Sequence, residues 1–120
     1  MNVREYGDFL QDILDSIDYI ENFLTGCEAD DFINDKRTVF AVLWCLHVLG
    51  EAAKHIPKQV RDQYPKIPWE DMTGMRDKVV HGYFGINLEV VWDTATRDLP
   101  QVKPLVERAL REIDEQVDLE

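Results

Sequence analysis

Val39-Phe-Ala-Val-Leu-Trp-Cys-Leu-His-Val-Leu49 decides the fold. Apart from His47 every side chain in it is apolar, so a helix carrying this run must be covered nearly all round. It is either the central helix of a bundle or part of a subunit interface. Asp35 can cap the free N–H groups at its start, and the helix should run to about His55. His47, inside the run, is expected to be a hydrogen-bonded core histidine. Gly50, Ala52 and Ala53 then let another helix approach closely, with Glu51 as the one charge in that patch of small residues. A carboxylate there is either exposed or paired, and Arg76 is a candidate partner.

Working outward, Leu10, Ile13, Leu14, Ile17, Ile20 and Leu24 recur at three- and four-residue steps and predict a first helix over 5–24. Its other face carries Asp8, Asp12, Asp15, Asp18 and Glu21, either as a solvated face or as an acidic surface for a basic partner. Thr25-Gly26 closes this helix. On the other side, Pro57, Pro65 and Pro68 leave room only for a short helix around Lys58–Gln63 and a connector. Trp69, Met72, Met75 and Val79 mark a third long apolar stripe, ended by Gly82 and Gly85. Asn87 caps a fourth helix through Leu88, Val91, Trp92 and Ala95. A fifth follows through Leu105, Val106, Ala109, Leu110, Ile113 and Val117, its start left open within a turn by Pro100 and Pro104. No run alternates like a strand. The expectation is an all-α, up-and-down bundle of about five helices forming a single domain over 1–120.

Composition bounds the function. The net charge is −11, which argues against a general nucleic-acid-binding surface. Residues 54–81 are the exception, with Lys54, Lys58, Arg61, Lys66, Arg76 and Lys78 against Asp62, Glu70, Asp71 and Asp77. One local basic surface on an acidic body suits a small or transient anionic ligand better than a long duplex. No apolar run approaches the roughly 20 residues that cross a bilayer, and the N-terminus lacks the pattern of a signal peptide, so a cytoplasmic protein without a membrane partner is expected. Cys27 and Cys45 form no CxxC pair, and Cys45 reads as a small buried hydrophobe.

The stretch Gly74-Met-Arg-Asp-Lys-Val-Val-His-Gly-Tyr83 holds the chemistry, because no packing rule requires its Arg-x4-His-x-Tyr spacing. An arginine can neutralise a phosphate, and a histidine can move a proton near neutral pH. On one continuous α-helix, residues five apart stand about 140° apart around the axis and do not converge on one atom. Either the helix ends near His81, where Gly82 frees the side chain from the helical phase, or a symmetric homodimer brings two copies of the segment together. The chemistry that fits is cleavage of an RNA phosphodiester, with His81 as base or acid and Arg76 as electrostatic clamp. That route needs no metal, and the three dispersed histidines offer no good metal site. The plain structural alternative is that Arg76 salt-bridges Glu51 or Asp77, His81 caps a helix and Tyr83 packs in the core.

The segments Leu49-Gly-Glu-Ala-Ala-Lys54 and Ile67-Pro-Trp-Glu-Asp-Met-Thr-Gly-Met-Arg-Asp-Lys-Val-Val-His-Gly-Tyr-Phe-Gly85 resemble the HepT-type branch of the HEPN superfamily, with Val91-Trp-Asp-Thr94 and Asp98-Leu-Pro100 extending the match. The resemblance implies a HEPN-like helical homodimer acting as a metal-independent endoribonuclease, the toxin of a type VII-like toxin–antitoxin pair. RNA would be its substrate, tRNA among the candidates, and an MNT-type nucleotidyltransferase its antitoxin. It implies Arg76 and His81 as the catalytic residues, with Asp77 as a polar neighbour; Glu51, the candidate partner of Arg76 read from the small-residue patch, is the other supporting residue. Tyr83 would receive AMP from ATP, used by the antitoxin, while the chain itself needs no cofactor. AMP there would add bulk and negative charge two residues from His81. The alternative within the superfamily is a non-catalytic helical module that binds a nucleotidyltransferase or a nucleotide.

Overall fold

In a computed structural model of the chain, the Val39–Leu49 run lies inside helix α3, Lys36–Lys54. The structure describes residues 3–81 and 85–119, with side chains described over 6–79 and 85–116. Asp35 caps α3 as its position predicts, accepting hydrogen bonds from the backbone N–H groups of Arg37 (3.1 Å) and Thr38 (3.5 Å). Three further long helices are α1, Val3–Phe23, α5, Trp69–His81, and α7, Leu99–Leu119. The short helices are α2, Ala29–Asn34, α4, Lys58–Gln63, and α6, Leu88–Asp93. The architecture is the all-α bundle that the periodicity calls for, with no strand among the described residues.

α3 is the central helix, packed on α1 along one side and on α5 along another, while α7 lies against α1. Leu10, Ile13, Ile17 and Ile20 of α1 are wholly buried against the apolar side of α3 and against Val106 and Ala109 of α7. At roughly 1.5–3 kcal/mol per large aliphatic side chain, this stripe is the main source of cohesion. Gly26, at φ +78°, turns the chain after α1. This is left-handed backbone that glycine adopts without a Cβ penalty.

Several details differ from the sequence reading. A short α2 precedes α3; the Glu28 N–H donates to the Asp31 carboxylate (2.9 Å), and Phe32 is buried beside Trp92 (ring centroids 5.6 Å). Six residues with one buried ring give too short a stripe to register as periodicity. α7 starts at Leu99, so Pro100 and Pro104 lie within it. Just ahead of them, Thr94–Asp98 forms a π-helical turn in which the Leu99 N–H donates to the Thr94 carbonyl, five residues back. Such a widened turn sits where the ring of Pro100 would press on the carbonyl four residues before it.

α3 is not covered all round either, because Phe40 and Trp44 stand 51% and 65% exposed. His47, the third member of that face, is half-buried beside Trp44 (5.2 Å), and its Nδ1 is buried with no hydrogen-bond partner, so it is not a satisfied core histidine. Cys45 is buried as expected, and burial pushes its thiol pKa up. No helix among the described residues is long and apolar enough to cross a membrane.

Candidate active site

The α3–α5 seam is built for close approach. A Cβ added to Gly50 would come within 2.3 Å of the Arg76 Cβ and 2.7 Å of the Met72 carbonyl oxygen. Only a residue without a Cβ lets α5 lie this near α3, which brings Arg76 against the next residue of α3, Glu51. Arg76 Nε donates to Glu51 Oε2 at 2.8 Å, and Arg76 Nη1 donates to Asp77 Oδ1 at 3.1 Å. The Arg76 side chain is only 23% exposed. A guanidinium fixed at two of its nitrogens has its remaining N–H groups directed by geometry rather than by rotamer choice.

The cluster extends beyond the residues the motif names. Lys54 Nζ donates to Asp77 Oδ1 at 2.7 Å, and His55 Nε2 lies 3.7 Å from Glu51 Oε1. The His55 ring stacks on Phe9 of α1 at 4.8 Å. Hydrogen bonds from Lys54, then from Arg76, hold the Asp77 carboxyl below the usual carboxylate range. Lys54 and His55 stand three and four residues after Glu51, on the same helical face. That spacing is the signal that could have placed them in the site.

Of the expected site residues, Arg76, Glu51 and Asp77 are therefore brought together. His81 ends α5 on the same helix as Arg76, its side chain outside the described ones, and Tyr83 lies outside the described residues. α5 is helical from Arg76 through His81, so the two stand about 140° apart around its axis.

The other basic residues of 54–81 do not join this cluster. Lys58 pairs with Asp62 at 2.7 Å, whereas Lys66 and Lys78 line a groove of about 530 Å³ between α5 and the α6–α7 arm. The single basic surface read from the sequence is thus divided. Among the described residues, no group of three or more His, Cys, Asp or Glu side chains could hold a metal ion.

Fold and site together define an all-α bundle whose central seam clasps an arginine between carboxylates, five residues before a histidine on one helix. The chain belongs to the ribonuclease HepT-like family, within the HEPN superfamily: the family model matches residues 13–109. A Methanocaldococcus jannaschii protein provisionally named an RNase is 44% identical over 114 residues, covering 95% of this chain and 94% of its own. A Thermococcus cleftensis protein named "Probable ribonuclease HepT" is 42% identical over 105 residues, 88% of this chain and 96% of its own. A Caldanaerobacter subterraneus protein, also provisionally named an RNase, is 33% identical over 103 residues, 86% of this chain and 92% of its own. No solved structure matches the chain.

Proposed function

We propose that this protein is a metal-independent endoribonuclease in which Arg76 and His81 act on the RNA phosphodiester. One histidine takes the 2′-OH proton, the 2′-oxygen attacks phosphorus, and the 5′-oxygen leaves with a proton, giving a 2′,3′-cyclic phosphate and a 5′-OH. Arg76 stabilises the negative charge that gathers on the non-bridging oxygens. Glu51 orients that guanidinium, and Asp77 lies beside it in the free protein.

The observation that carries the reading is the Glu51–Arg76 pair at 2.8 Å, which sets a directed, mostly buried cation one helical turn and a half from His81. The relatives' ribonuclease names point the same way. A symmetric homodimer would supply a second His81, one serving as base and one as acid. The exposed Phe40 and Trp44 and the unsatisfied His47 Nδ1 favour a covered α3 face in such a dimer. In this reading the chain is the toxin of a toxin–antitoxin pair in the cytoplasm, acting on RNA such as tRNA. A nucleotidyltransferase antitoxin silences it by moving AMP from ATP to Tyr83, where the added charge repels an RNA phosphate.

The test is incubation of wild type, Arg76→Ala and His81→Ala with total cellular RNA in EDTA. Wild type alone should give discrete fragments ending in 2′,3′-cyclic phosphate. One observation favours a second reading, a non-catalytic helical module: Arg76 is neutralised by two carboxylates. If no preparation cuts RNA, and mass spectrometry finds no AMP on Tyr83, that reading takes over.

A further inference from the structure

Two cations converge on a single oxygen atom in the α3–α5 seam. Lys54 Nζ, from α3, and Arg76 Nη1, from α5, both donate to Asp77 Oδ1, at 2.7 and 3.1 Å. The two donors come from different helices held in fixed relation by the Gly50 contact. Their shared acceptor is different in kind. The Asp77 side chain is 50% exposed and stands next to Arg76 in sequence, so a rotamer change takes its carboxylate into water without disturbing the seam.

Glu51 occupies another part of the guanidinium. It accepts from Nε at 2.8 Å, which leaves it in place when Asp77 moves, and its second oxygen faces His55 at 3.7 Å. Arg76 would then keep its orientation while Nη1 and the Lys54 ammonium lost their acceptor. A phosphate oxygen is the ligand such a pair of donors suits. It carries the same charge and accepts charge-assisted hydrogen bonds of the same length as a carboxylate oxygen.

We infer that Lys54 and Arg76 form a two-cation phosphate clamp, and that Asp77 Oδ1 holds the position a phosphate oxygen of the RNA backbone takes when substrate binds. Lys54 is thereby a substrate-binding residue, and Asp77 is an internal competitor that keeps the clamp neutral until RNA displaces it. This rests on the ribonuclease reading for the identity of the ligand, but the clamp itself is a claim about anion binding. A competing internal carboxylate also reconciles an anion site with a chain of net charge −11, since only a multivalent or well-placed phosphate would displace it.

The first experiment titrates the full chain with inorganic phosphate at constant pH and follows the Arg76 Nε–H and Lys54 ammonium signals by NMR. In wild type both should shift. Asp77→Asn, which removes the competing charge, should tighten binding about tenfold, the effect of a difference near 1.4 kcal/mol. Asp77→Ala should do the same without an amide left in the seat. Adding Lys54→Met to Asp77→Asn should reverse the gain. These side chains are solvent-accessible, and far-UV circular dichroism should be unchanged. No shift in wild type and no tightening in either Asp77 variant would overturn the clamp, whatever the RNA assays show.

The second experiment measures RNA cleavage. Lys54→Met should raise KM about tenfold with little change in kcat, and should lower the slope of log binding against log salt by about 0.7, one single-strand phosphate contact. If wild type cuts RNA and Lys54→Met retains both KM and slope, the clamp is overturned while the ribonuclease reading stands. Phosphate binding as expected, with no RNA cleaved by any preparation and no AMP on Tyr83 by mass spectrometry, keeps the clamp and removes the ribonuclease.

Discussion

The two seams of α3 are made of opposite materials. Against α1 it is closed by aliphatic side chains, with Leu10, Ile13, Ile17 and Ile20 fully buried. Its hydroxyl exception, Ser16, is satisfied locally by donating to the Asp12 carbonyl at 2.8 Å. Against α5 it is closed by small residues and a chain of charges, with Gly50 setting the distance and Glu51, Arg76, Asp77 and Lys54 linked in that order. The first seam gains stability from area removed from water. The second holds a cation in one place, and exposed or half-exposed ion pairs add little to stability. Cohesion and the proposed site are therefore divided between the two sides of one helix.

The largest effect should come from the aliphatic seam. Ile17→Ala should destabilise the protein by about 2–5 kcal/mol, from lost burial plus the cavity left behind. Urea unfolding would show it as a lower midpoint with an unchanged slope. RNA cleavage per folded molecule should be unaffected. If it falls as well, the separation of the two seams is wrong.

Gly50→Ala should come next, and it attacks the other seam. A helical alanine is favoured over glycine by roughly 1 kcal/mol, but here the new Cβ meets Arg76 and Met72 backbone at distances that force the helices apart, at about 1–3 kcal/mol. The net should be a modest loss of stability and a large loss of activity. A stabilised Gly50→Ala with full activity would show that the close approach does not position Arg76.

Glu51→Gln sharpens the contrast further. With Glu51 42% exposed, the change should cost less than about 1 kcal/mol, within the range of exposed ion pairs. On the proposed mechanism cleavage should drop by roughly a hundredfold, since a misplaced guanidinium would no longer meet the developing charge. Thermal melts and initial rates on the same samples would separate the two effects.

The aliphatic seam was legible in the sequence because apolar residues at three- and four-residue steps permit little else; α1 and α4 fall where that spacing and the flanking prolines put them. Asp35 and Asn87 were legible as caps for the same reason, and Asn87 accepts from the backbone N–H groups of Glu89 and Val90. The charged seam was only half legible. Glu51 opposite Arg76 could be proposed from one acid in a small-residue patch. The convergence of Lys54 on Asp77 depends on the rotation of α5 about its axis, which periodicity does not fix. Trp44 misled in the other direction: an apolar run does not say which of its members stay exposed. The π-helical turn before Pro100 was invisible, since it is one extra residue absorbed by a helix whose pattern continues on both sides.

The smallest predicted effect sets the acid behaviour of the two regions against each other. Asp77 has its pKa lowered by Lys54 and Arg76, so its contribution is present above the ordinary carboxylate pKa and is lost as pH falls below about 4. Asp12, on the outer face of α1, has its pKa raised by partial burial and by the charges of Asp15 and Asp8. Its ionised form opposes folding, and the fold gains as pH falls through its pKa. Asp12→Asn should therefore stabilise the protein at neutral pH by a few tenths of a kcal/mol, and Asp77→Asn should destabilise it slightly. Both differences should shrink toward zero as the wild-type carboxyls become protonated. Melting temperatures of the two variants and wild type between pH 3 and pH 7 should converge from opposite sides. Convergence from the same side would mean that the α3–α5 charges are as unfavourably placed as the acidic face of α1, and that Asp77 is not held by the two cations.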